Sequence, residues 1–258
     1  MKSASLHLAA SLFLLTGLTC LAQSPEVIQR PPDGGTREML LSILIPSIPS
    51  APFTGTVRTE WIRTLGDGSK ITLKNHRLVA RDSSGRIFQE RRLLVPDETK
   101  DESPITQTEI SDPVAHELYI CVPQQLVCQL EIYSPAGGEH VASRAEFVKS
   151  QSASAGEDLG TQFIGGLEAL GKRKTFTIEM GRIGNDHALT AKWEFWYSPT
   201  LGLNLISKRD DPRSGTQNFE VTDINLNEPD PKLFQVPAGS KVIDLRHEGN
   251  ITPTGTPQ

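Results

Sequence analysis

Residues 190–225 alternate apolar and polar side chains in three short runs separated by turn-forming residues. In the first run Trp193, Phe195 and Tyr197 share one parity, while Lys192 and Glu194 take the other. Leu201, Leu203 and Leu205 repeat the period in the second. Asp211-Pro212 and Ser214-Gly215 then reverse the chain into Phe219 and Val221. Successive side chains of a strand leave on opposite faces, so a period of two argues against an amphipathic helix. Turns at this spacing make an antiparallel meander. The same pattern starts earlier, where Phe53, Val57, Trp61 and Leu65 share parity and Gly66-Asp67-Gly68 and Ser83-Ser84-Gly85 supply turns. The expected fold is mainly β, with roughly nine to eleven strands and one short N-terminal helix. Thr36 can cap that helix over residues 36–45, Glu38 sits in its first turn and Pro46 ends it, although β-branched residues leave a strand open. Residues 97–112 read as a charged loop with an edge strand at 105–110, and 134–157 as a long mobile loop.

The chain opens with a single charge, Lys2, followed by an apolar run from Leu6 to Leu18 that ends in Thr19-Cys20-Leu21-Ala22. A basic start, a short apolar stretch and a small residue before the cut describe a secretory signal peptide. The run falls short of the about 20 apolar residues a membrane span needs, and no later stretch approaches that length, so no transmembrane span is expected. Cleavage after Ala22 is the expectation. Acylation at Cys20 is the alternative, which the Gly17-Leu18-Thr19 context fits poorly because the residue before such a cysteine should be very small. The protein is therefore expected to be exported, periplasmic or extracellular. Without Lys2, 25 basic and 31 acidic side chains remain, a net charge of about −6. With signs interspersed, that gives no footprint for nucleic acid or an anionic membrane surface. The expected organisation is a signal peptide (1–22), a flexible segment carrying the short helix (23–52), a single antiparallel β domain (53–245) and a disordered tail (246–258).

Cys121 and Cys128 lie in LYICVPQQLVCQLEIY, in apolar strand-like runs around Pro123-Gln124-Gln125. If Gln124 and Gln125 form the turn, the two cysteines fall opposite one another. An exported protein meets oxidising conditions, so a cross-strand disulfide is expected. Two buried thiols or a redox pair are the alternatives, and a redox pair would want CxxC at a helix start. Apolar residues on both sides of this hairpin place it as a central pair.

The segments PFTGTVRTEW, VARDSSGRIFQERR, DPVAHELY, EDLGTQFIGG, IGNDHALTAKWEFWYSPTLGLNLISKRDDPRSGTQNF and EPDPKLFQVPAG span about residues 50–245. Together they resemble a family of uncharacterised bacterial exported proteins, a resemblance that brings no assigned activity and no catalytic residue. The closing EPDPKLFQVPAG, after a meander of long strands, also resembles the outer-membrane lipoprotein-carrier superfamily. That likeness implies a strongly curved antiparallel sheet, an open or half barrel, wrapping an apolar ligand cavity closed by short helices. It implies a binder of apolar ligands by analogy of fold only.

No constellation for catalysis, a metal or a cofactor emerges. His76, His116, His140, His187 and His247 are scattered, without HExxH or close pairing. GxSxG is missing, and GDGSK lacks phosphate-loop spacing and suits a hairpin turn. Asp210-Asp211 before Pro212-Arg213 reads as a turn whose carboxylates meet the arginine or nearby amides. Asp186, in IGNDH, is the acid best placed to be aimed by a tight turn. Catalytic, metal and cofactor residues are thus expected to be none. The functional lead is aromatic: Trp61, Trp193, Phe195, Trp196 and Tyr197 as ligand-wall residues. Trp196, of opposite parity, packs under the helix in the alternative reading, in which the aromatics are simply core. Three functions follow in order of preference. The first is a non-enzymatic exported binder of an apolar or amphipathic small ligand, with 36–45 as its lid. The second is an envelope or extracellular protein–protein interaction module. The third is a hydrolase or isomerase using isolated carboxylates such as Asp186 or Glu194.

Overall fold

The computed structural model describes residues 42–99, 102–134 and 156–246, all within the compact unit Met39–Gln258. The first seven strands are β1 (Phe53–Thr64), β2 (Lys70–Arg81), β3 (Ile87–Arg92), β4 (Val95–Pro96), β5 (Ile105–Asp112), β6 (Glu117–Val122) and β7 (Val127–Ile132). The rest are β8 (Glu157–Ile164), β9 (Leu167–Ile178), β10 (Leu189–Ser198), β11 (Leu203–Asp211), β12 (Gly215–Asn225) and β13 (Lys241–Asp244). They build one curved, open sheet in the order β13-β7-β6-β5-β3-β2-β1-β12-β11-β10-β9-β8, with β4 pairing beside β2. Every pair is antiparallel except β13 on β7. The meander is in fact two meanders, β1–β7 and β8–β12, joined back to back by β1 against β12, with Val57 opposite Val221 and Thr59 opposite Phe219. The β8–β9 reversal is a tight hairpin in which Gly165 and Gly166 both hold positive φ, 55° and 80°. That conformation is open to glycine at little steric cost.

One face of the sheet is sealed by an irregular strap, residues 42–52. Ile43 and Ile45 of the strap pack on Phe53, Val57, Val79, Ile87, Leu201, Leu203, Leu205, Phe219 and Val221, nearly all almost completely buried. Each such side chain contributes about 1.5–3 kcal/mol on leaving water. Two buried arginines of β2 fasten the strap. Arg81 is fully buried and donates from Nε to the Ala51 carbonyl (2.9 Å), from Nη1 to Pro46 (2.8 Å) and from Nη2 to Leu201 (2.6 Å). Arg77 reaches the Ser42 hydroxyl and the Ile43 carbonyl through Nη2 and Gln89 through Nη1. Burial, with the Arg91 charge nearby, pushes Arg77 down to about 10. Taking a guanidinium out of water is costly, and carbonyl acceptors offset that cost.

A second, smaller core lies on the opposite face: Ala80, Phe88, Ile110 and Phe234, with Leu78, Tyr119 and Leu233 packed against it. The EPDPKLF segment supplies its cover as a 3-10 turn, Pro231–Phe234. Asp230 caps that turn by accepting from the Lys232 amide at 2.9 Å, and proline at the first position is pre-set for it. Cys121 and Cys128 stand opposite one another in the β6–β7 hairpin, their Cα atoms 3.9 Å apart, and are disulfide-bonded.

Several expectations change. That hairpin is not central: among the described residues only the four-residue β13 lies beyond it. Residues 105–112 form an interior strand between β3 and β6, because Thr108, Ile110 and Ser111 are buried there. The helix expected over 36–45 falls partly outside the described residues, and its described part, 42–45, is strap without regular structure. The signal peptide 1–22, most of the 134–157 loop and the tail from 247 lie outside the described residues. Finally, the β10–β11 register shifts between Trp196 and Tyr197, with Leu205 as the extra residue of β11, while β10 stays in step with β9 through Tyr197, which is buried.

Candidate functional site

The cross-strand register aligns Lys174 (β9), Trp193 (β10), Arg209 (β11), Gln217 (β12) and Trp61 (β1) in one row on the strap face. Lys172, Phe195, Ser207, Phe219 and Thr59 form the next row, which leads into the sealed core. Three expected wall residues, Trp61, Trp193 and Phe195, thus share a surface and are half-buried. Phe176 joins them, 41% exposed, with its ring 4.8 Å from Trp193; Phe195 meets Trp193 edge-on at 6.5 Å. Trp61 is anchored by its indole N–H, which donates to the Ser214 carbonyl at 2.7 Å. Trp61 and Trp193 are three strand spacings apart, roughly 14 Å, and Gln217 and Arg209 form the floor between them.

Arg209 is the unexpected member. Its guanidinium lies 4.6 Å over the Trp193 ring, and its buried Nε has no hydrogen-bond partner among the described residues. Burial lowers its pKa. Among the described residues no carboxylate comes within ion-pairing distance of Arg209 or of Lys174, which flank Trp193 from either side. The signal for Arg209 was present in the sequence, since it shares parity with Leu203 and Leu205. A charge near a strand end reads as solvated, however, and only the register shows it lying on an indole.

The other two expected wall residues sit elsewhere. Tyr197 is buried. Trp196 occupies the opposite face, where its indole donates to Glu194 Oε1 at 2.9 Å and its ring covers Gly171. A missing Cβ makes room for the ring, since a Cβ at 171 would lie 2.7 Å from it.

That opposite face is charged. Lys74, Glu60, Asn218, Lys208, Glu194 and Arg173 form a row across it. Two open cavities of about 710 and 550 Å³ lie along the row. Their charges answer one another: Arg173–Glu194 at 2.9 Å, Lys208–Glu194 at 3.8 Å, Lys74–Asp97 at 2.6 Å and His76–Glu102 at 3.4 Å. Such exposed pairs contribute little to stability individually. A third cavity, about 380 Å³, lies between the strap and β3–β5–β6, where Ile45, Ile87 and Leu118 meet the Arg91–Glu109 pair.

The carboxylates considered for catalysis do not converge. Burial tends to raise Glu194, but hydrogen bonds from Trp196 and Arg173 outweigh it and hold the carboxyl below its ordinary value, a poor setting for a general base. Asp186 lies on the exposed 179–188 turn, 2.5 Å from His187 of the same turn. Asp211 is bound bidentately by Arg213, as expected of that turn. Among the described residues no cluster of three or more His, Cys, Asp or Glu could hold a metal ion, and no helix is long and apolar enough to cross a membrane.

No family model and no curated protein matches the chain. Solved structures with a similar fold include an uncharacterized conserved protein from Thermus thermophilus (8% identity, TM-score 0.38, covering 76% of this chain and 91% of that one). MucB of Pseudomonas aeruginosa, in its complex with MucA, is similar at 17% identity and a TM-score of 0.34 over 74% of this chain, which spans 58% of MucB's length. A LolA superfamily protein from Nitrosomonas europaea is similar at 11% identity and a TM-score of 0.30, covering 73% of this chain and 91% of that one. These likenesses are distant, and no functional conclusion rests on them.

Proposed function

We propose that this is an exported, non-enzymatic binding protein that takes a small amphipathic ligand on the aromatic end of the strap face. Residues 53–245 would act as one β domain behind a signal peptide at 1–22. The observation that carries the reading is the convergence of Trp61, Trp193, Phe195 and Phe176 from three strands onto one half-exposed surface. Core aromatics would be sealed as Phe53 and Phe219 are, and isolated surface aromatics would not stack. Leu201, Leu203 and Leu205 fill the core, so the surface is a shallow aromatic shelf. The strap is held by buried arginines and serves as a fixed cover.

The test is a titration of tryptophan fluorescence with alkyl maltosides of increasing chain length, each below its micelle concentration. Saturable changes that tighten with chain length and weaken in Trp193→Ala support the reading. No saturable change at any chain length contradicts it.

A second reading, a protein–protein module, is favoured by β8. Among the described residues this strand pairs only with β9, and its Phe163 is 76% exposed. An uncovered strand with an exposed aromatic is a surface that can accept another strand.

A further inference from the structure

Among the described residues, the aromatic shelf contains two cations that meet no carboxylate, Arg209 and Lys174. Many other cations of the sheet are answered: Arg173, Lys172, Arg91, Arg92, Arg213 and Arg246 each meet a carboxylate within 3.2 Å, and the buried Arg77 and Arg81 are held by backbone carbonyls. In a chain with more acidic than basic residues, finding Arg209 and Lys174 on either side of one indole with no carboxylate among the described residues contrasts with those pairs. The environment of Arg209 sharpens the point. The guanidinium is held 4.6 Å over the Trp193 ring, and among the described residues its Nε is shut off from water with no acceptor. A buried donor without a partner is a cost that an incoming acceptor would relieve, and a pre-oriented guanidinium suits a two-oxygen anion best.

Building on the amphiphile reading above, we propose that the ligand is a monomeric anionic amphiphile. Its carboxylate or phosphate-type headgroup is taken by Arg209, with Lys174 adding charge from the far side of Trp193. The hydrocarbon lies over Trp193, Phe195 and Phe176. The site distinguishes ligands by headgroup sign and by chain: the cations reject a cationic head, and the aromatic surface supplies the contact that a bare anion cannot make.

Ten-carbon probes below their micelle concentrations test this on the whole protein: decanoate, decyl maltoside and decyltrimethylammonium, with acetate as the headgroup alone. Decanoate is expected to bind about tenfold tighter than the maltoside, the gain of one charge-assisted hydrogen bond. The cationic probe should bind more weakly than the maltoside, and acetate should produce no saturation where decanoate saturates. In Arg209→Gln the decanoate-to-maltoside ratio should fall towards one, with Arg209→Lys between. Equal affinity for decanoate and the maltoside, an unchanged ratio in Arg209→Gln, or saturation by acetate as readily as by decanoate overturns the headgroup assignment while leaving the shelf intact. Failure of all three ten-carbon probes to bind removes the amphiphile reading itself.

Discussion

Arg81 donates from Nη2 to the carbonyl of Leu201 at 2.6 Å, joining β2 to the β10–β11 turn across 120 residues of sequence. The same guanidinium holds the strap at Pro46 and Ala51, so one buried side chain ties three separate parts of the chain together. Arg81→Met fills much of the volume but leaves those carbonyls without their donor. A loss of about 3 kcal/mol or more is expected from urea unfolding. A change under about 1 kcal/mol would show that water or neighbouring amides replace the arginine.

Gly171 and Trp196 are coupled by contact. A Cβ at 171 would lie 2.7 Å from the Trp196 ring and 2.8 Å from Leu159, so Gly171→Ala should destabilise by about 1–3 kcal/mol through overpacking. In the Trp196→Leu background the same change should cost less, because the ring is gone. A double-mutant cycle by urea denaturation reads the coupling directly, and strict additivity would separate the two residues.

Much of the architecture was legible because period two survives wherever one face is buried. The hairpin opposing Cys121 and Cys128, the Gly165-Gly166 turn and the runs 190–225 all follow from alternation and turn chemistry. Strand order was not legible, because the pairing of β1 with β12 brings together residues such as Val57 and Val221 that no local pattern links. The two strap-holding arginines were hidden for a related reason. Arg77 and Arg81 share parity with Val79 and so were bound for the core, but composition treats an arginine as solvated. At the shelf, Trp61, Trp193 and Phe195 could be named from parity. The burial of Tyr197, and the cations around Trp193, required the fold and its register.

The disulfide gives a prediction independent of any ligand. For so short a loop the chain-entropy model assigns about 2.5 kcal/mol, so paired Cys121→Ser and Cys128→Ser changes should lower stability by about that amount. Thiol labelling of the denatured, unreduced full chain should find one cysteine of the three, Cys20, and reduction should expose the other two. Labelling of all three without reductant would contradict the bond.

Asp211 sets part of the acid sensitivity. Hydrogen bonds from Arg213, at 2.9 and 2.6 Å, hold its carboxyl below the ordinary range despite the opposing effect of burial. The folded state therefore binds fewer protons at this site than the unfolded state. Its contribution is complete above the unfolded value of about 3.9 and is lost as pH falls through the lower folded value. Asp211→Asn should flatten the decline of urea midpoints below about pH 4. An identical acid slope in the variant would show that other carboxyls govern it.

The shelf reading is tested most directly by the three indole N–H signals in a proton–nitrogen spectrum, since the chain has three tryptophans. On titration with decanoate, Trp193 and Trp61 should shift and saturate together, while Trp196, on the far face and bonded to Glu194, should stay in place. Movement of Trp196 alone, or of none of the three, would contradict the account.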